Sequence, residues 1–225
     1  EARQYAAGPY TLALMAGDTL GQTEQAKVAA QVARLTGLSQ DYVLQSNLRV
    51  PIWRFTKELL RDRRRTVGRF DSRFTGIDRD AAGEGPEFDP SHAALQGVFT
   101  ATLNSYMRDE LNYKSDLPYE ILTGNVHPWK WSGGENQFLD VSETLREAIS
   151  YNPHLRVLVA AGRYDLATPW MAARYTVDHL GLDPTLRANV SVENYEAGHM
   201  MYVQRAALEK LKGDMTRFYG QATAK

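Results

Sequence analysis

Residues 154–202, HLRVLVAAGRYDLATPWMAARYTVDHLGLDPTLRANVSVENYEAGHMMY, decide the fold. The stretch opens on the apolar run Val157, Leu158, Val159, Ala160 and Ala161, the pattern of a strand covered on both faces in a parallel sheet. Gly162 ends that strand. Thr168 followed by Pro169 reads as an N-cap and first-turn pair, which predicts a helix from about residue 169 to residue 180. A second strand is predicted over residues 189–195, after which Gly198 turns the chain and presents His199. In an α/β arrangement, ligands and catalytic side chains gather just past strand ends. Asp165 and His199 hold those two places. With Thr168 assigned to the cap, Asp165 is left in the turn, free to face a functional partner.

Outward from this segment, the first half of the chain reads as short helices. Thr23 is the expected cap of a helix carrying Ala26, Val28, Ala29, Val32 and Leu35, with Gly37 closing it. Ser39 starts another, and Pro51 opens a third with Phe55, Leu59 and Leu60 on its apolar face. Arg61, Arg63, Arg64, Arg65, Arg69 and Arg73 follow, with Asp62, Asp71, Asp78 and Asp80 among or just beyond them. The expectation is therefore an ion-pair network, not a phosphate-binding patch. Residues 80–90 form a Gly-, Pro- and acid-rich loop, and a helix is expected over residues 91–106. A later loop holds His127, Trp129 and Trp131, which either line a cleft or pack on neighbouring helices. Asp140 and Glu143 form a D-x-x-E cap for a helix stopped by Asn152-Pro153, and a final amphipathic helix precedes a fraying tail. The division expected is a mainly helical region, 1–135, and an α/β segment, 136–225.

At 225 residues and 43% hydrophobic, the chain is long and apolar enough to bury a core. A net charge of -1 argues against nucleic acid or an anionic membrane surface as partner. No apolar run reaches the roughly 20 residues of a membrane span. With no cysteine, no H-x-x-x-H and no H-E-x-x-H, a metal site is not expected. The start, Glu1-Ala-Arg-Gln-Tyr5, lacks an initiator Met and leads us to expect a longer or processed product.

An Asp and a His in strand-end loops, in that order, suit a Ser-His-Asp machine. The imidazole moves the proton, and the carboxylate fixes its tautomer and stabilises its charged form. Their separation of 34 positions leaves room for one helix and one strand. His92, His154 and His179 fall on predicted helices or their edges, without a carboxylate in a matching loop. No G-x-S-x-G elbow occurs, so the nucleophile is not among these residues.

In detail, GRYDLATP at 162–169, HL at 179–180 and NYEAGHMMY at 194–202 resemble the C-terminal part of the serine carboxypeptidase family, its bacterial branch most closely. TGLS at 36–39, VGRFDSRFTG at 67–76 and DPS at 89–91 resemble it too. Eukaryotic members have Val-Pro where this chain has Met201-Tyr202, and they contain disulfides. The resemblance implies an α/β-hydrolase fold with Asp165 and His199 as triad members, Met200 shaping the pocket near the leaving residue, and the helical first half forming much of a cap. It implies removal of single residues from peptide C-termini without a cofactor, in the periplasm or outside the cell, the nucleophile coming from an N-terminal portion of the same protein. Without that portion the chain is expected to be inactive. An esterase or acyltransferase on the same scaffold, or a non-catalytic relic, are the alternatives.

Overall fold

The computed structural model describes residues 1–130 and 138–223. Trp131 and the expected boundary at 135/136 lie outside the described residues. The chain is a mixed α/β protein of two compact units, Glu1–Arg69 with Phe74–Pro90, and Phe70–Arg73 with Ser91–Lys225.

The first unit is helical. Ala2–Tyr5 (α1) continues through a π-helical turn, Ala6–Tyr10, into Thr11–Ala16 (α2), and Gln22–Thr36 (α3), Gln40–Gln45 (α4) and Ile52–Glu58 (α5) follow. Val28 and Ala29 of α3 meet Ala13, Leu38, Val43 and Leu48 in one core, because the 3.6-residue period puts the apolar side chains on one stripe. Gly37 closes α3 at φ 82, where a side chain would be strained, and donates its N–H to Ala33 O at 2.8 Å. Thr23 is not the cap: α3 begins at Gln22 behind Gly21, so Thr23 is already inside the helix. Ser39 does cap α4, accepting the Tyr42 N–H at 3.1 Å.

Beyond α5, Thr66–Val67 (β1) pairs antiparallel with Thr75–Gly76 (β2). The arginines divide. Arg61 bonds Glu58 and the Gly83 carbonyl, whereas Arg65 donates to the carbonyls of Arg63 and Arg64. Asp78 answers Lys57 instead of an arginine, and both side chains are buried.

In the second unit, Pro90–Ser105 (α6) and Ser142–Tyr151 (α7) precede Val157–Gly162 (β3), Trp170–Asp178 (α8), Val190–Tyr195 (β4) and Arg205–Thr223 (α9). The D-x-x-E cap is not formed. Val141 is the N-cap of α7, and Asp140, one residue too early, takes the Ser142 N–H at 2.8 Å while Glu143 turns to Arg146. β3 and β4 are parallel, in register from Val157↔Val190 to Gly162↔Tyr195. Ile149 of α7 packs with Leu180 and Leu182 against Val157 and Val190, and α9 buries Ala207 against Tyr195, Ala197 and Met201. β3 is not covered on both faces: Val157, Leu158 and Val159 are half-buried, Ala160 is exposed, and no third strand joins the pair among the described residues.

Behind β4, the buried Asp214 accepts hydrogen bonds from the Tyr195 hydroxyl (2.8 Å), Lys210 (2.6 Å) and Arg217. Burial alone would raise the Asp214 pKa, but these donors outweigh it and hold the carboxyl below its ordinary value. Burial, and then Asp214, push the Tyr195 phenol up. A carboxyl with a depressed folded-state pKa stabilises the protein above its unfolded value, about 4, and that contribution is lost as pH falls through the folded value. Thermal melts of Asp214→Asn against the parent, from roughly pH 6 to roughly pH 2, should show the parent's acid-side loss of stability diminished in the variant.

Candidate active site

The register ending at Gly162↔Tyr195 releases two loops side by side from the C-terminal ends of β3 and β4. Bonds continue past the strands, Arg163 N to Tyr195 O at 2.9 Å and Tyr164 N to Ala197 O at 3.1 Å. A Cβ on Gly162 would sit 2.2 Å from the Gly198 carbonyl oxygen, so only glycine lets the loops approach this closely.

This approach brings Asp165 and His199 together. His199 Nδ1 lies 2.8 Å from Asp165 Oδ2, with the aspartate 4% and the imidazole 42% exposed. The other oxygen of Asp165 accepts the Ala167 N–H at 2.8 Å and the Thr168 N–H at 2.9 Å. Thr168 is not a helix cap. Pro169 is the N-cap of α8, and the Thr168 hydroxyl donates to Asp165 Oδ2 at 2.6 Å, since a carboxylate is the stronger acceptor. Asp165 therefore organises its own turn and also faces the histidine. The Thr168 hydroxyl, its proton given to Asp165, offers a lone pair 3.1 Å from His199 Nδ1. Two acceptors at Nδ1 assign the neutral imidazole's proton there and leave the Nε2 lone pair open to receive another.

Three residues that were not among the site candidates, all within the VGRFDSRFTG and DPS stretches, support the histidine. The Phe70 carbonyl accepts the His199 N–H at 2.7 Å, and its ring stacks on the imidazole at 5.0 Å and 19°. Asp71, buried, accepts the Gly198 N–H at 3.1 Å and is paired with Arg73 at 2.6 Å. Burial would raise its pKa, but Arg73 hydrogen bonds and charge hold it below the ordinary value. Ser91 Oγ accepts the Phe70 and Asp71 N–H groups at 3.1 and 3.2 Å. The sequence marked Asp71 as an acid among the arginines and as part of VGRFDSRFTG, not as a support for His199.

Met200 is half-buried and lines a groove of about 270 Å³ with His199, Phe70, Leu95, Phe99 and Leu122. His92, set aside as a helix residue, lines it too and meets the Phe70 ring edge-on at 6.0 Å. His127 and Trp129 do not line it, and Trp129 is 56% exposed. Among the described residues, no serine bonds His199 and no three His, Cys, Asp or Glu residues are grouped to hold a metal ion. No helix among them is long and apolar enough to cross a membrane. The chain matches no family model, no curated protein and no solved structure.

Proposed function

We propose that this chain carries the acid and the base of a serine-type carboxypeptidase of α/β-hydrolase architecture. Asp165 orients and stabilises the His199 imidazole, and the nucleophile comes from residues outside these 225. The observation that carries the reading is the 2.8 Å bond from His199 Nδ1 to a buried carboxylate, made between loops that leave adjacent parallel strands. Nε2 then takes the serine proton during attack on the scissile carbonyl and returns it to the leaving amine. The half-covered β3 supports the reading, because parallel strands ordinarily belong to larger sheets with both faces packed. The groove beside Met200 offers an apolar surface for the peptide.

The test is product analysis on the protein carrying both this chain and its nucleophile, offered blocked peptides, simple esters and acyl acceptors. Release of single C-terminal residues is the expected result. Turnover of esters with intact peptides would move the protein to the esterase class, and transfer to an added acceptor to the acyltransferases.

A further inference from the structure

The tetrapeptide Phe70–Arg73 belongs to the compact unit that holds the site, although 17 residues of the other unit, Phe74–Pro90, separate it from the rest of its own. It touches both strand-end loops. Ser72 donates its N–H to the Tyr164 carbonyl at 2.9 Å, one residue before Asp165. Arg73 donates to the Glu196 carbonyl at 3.2 Å, and its guanidinium lies over the Tyr164 ring at 4.6 Å. Phe70 and Asp71 take the two consecutive N–H groups of His199 and Gly198. Gly198 is closely enclosed: a Cβ there would stand 2.4 Å from Asp71 Cβ and from the Phe70 carbonyl oxygen.

We propose that this tetrapeptide is a brace between the acid and base loops, and that Asp71 is its positioning residue, fixing the Gly198 amide so that the His199 ring meets Asp165. The peptide units before and after Gly198 determine where the His199 Cα–Cβ bond points. Two carboxylate oxygens suit the task, since one holds the Arg73 Nε and backbone N–H (2.9 and 3.0 Å) while the other receives Gly198. Asp71 acts through the Gly198 backbone N–H that it accepts. Its part in catalysis rests on the proposed hydrolase reading; its hold on the imidazole does not.

The test compares Asp71→Ala, Asp71→Asn and Ile149→Ala with the parent 225-residue chain, following the low-field Nδ1 proton of His199 and the solvent exchange of the Gly198 amide by NMR. Ile149→Ala lowers stability from a buried position outside the brace and should keep the Nδ1 signal. Asp71→Ala should lose it and speed Gly198 exchange at least tenfold. Asp71→Asn keeps one carbonyl acceptor and should retain a weakened signal; if the alanine variant does not fold, this one carries the test, and a parent-like spectrum overturns the proposal. So does an unchanged signal in Asp71→Ala, or a loss that Ile149→Ala reproduces. In the protein with its nucleophile, Asp71→Ala should lower kcat about a hundredfold with KM little changed, because misplacing a reacting group by an ångström has an effect of that order. These NMR readouts need neither nucleophile nor substrate. Spectra as expected with no hydrolysis would leave the brace standing and remove the hydrolase, whereas unchanged spectra with an active enzyme would do the reverse.

Discussion

Replacing His199 with alanine, in the protein that carries the nucleophile, is expected to lower kcat by about four to six orders of magnitude, because nucleophile and base act as a unit. Asp165 is no substitute for the imidazole, since both its oxygens are engaged by Ala167 and Thr168. Asp165→Asn should lower kcat by about 10⁴, since an amide beside Nδ1 favours the tautomer that points the ring proton at the nucleophile. KM should move little in either variant. Folding stability should also be nearly unchanged in His199→Ala, because the ring is 42% exposed and its backbone N–H bond to Phe70 survives the substitution. Steady-state kinetics with a thermal melt on the same preparation checks both halves. Peptidase activity within a factor of ten of the parent would remove His199 from the mechanism.

Lys57→Ala should destabilise the first unit by about 3–5 kcal/mol, the cost of leaving a buried charge without its partner. Lys57 and Asp78 are only 3% and 2% exposed. The ammonium also donates to the Asp80 carbonyl at 2.7 Å, and Asp78 takes the Glu87 N–H at 3.2 Å, so the pair ties α5 to the loop that follows β2. With the ammonium gone, Asp78 keeps that one backbone donor and loses its counter-ion. Replacing both residues, Lys57→Met with Asp78→Leu, should recover most of the loss, since an apolar pair removes the desolvation penalty together with the attraction. Urea unfolding of the two single variants and the double variant measures this. A loss below about 1 kcal/mol in Lys57→Ala would mean that water reaches the pair, as it does for surface ion pairs.

The two strands and both catalytic candidates were legible because their signals are local. The run Val157 to Ala161, the break at Gly162 and the Gly198-His199 turn each occupy a few consecutive residues, and the observed strands match them. Thr168 was misread for a three-dimensional reason: its hydroxyl had a helix N-terminus available but found a buried carboxylate three residues back. The apolar run overstated the cover on β3, because composition records what a strand can bury and not what lies against it. Asp71 could not be found by spacing, since its partner Gly198 is 127 residues away. Lys57 was hidden in the same way: one cation in a basic neighbourhood carries no mark that it alone is buried against Asp78.

Labelling with a fluorophosphonate serine probe tests the central claim most directly. The 225-residue chain alone should take up no probe, because among the described residues no serine bonds His199. The protein supplied with its nucleophile-bearing residues should label at one serine outside this chain, and His199→Ala should suppress that labelling. Covalent capture on any serine of the isolated chain, or labelling of the complete protein unaffected by His199→Ala, would contradict the account.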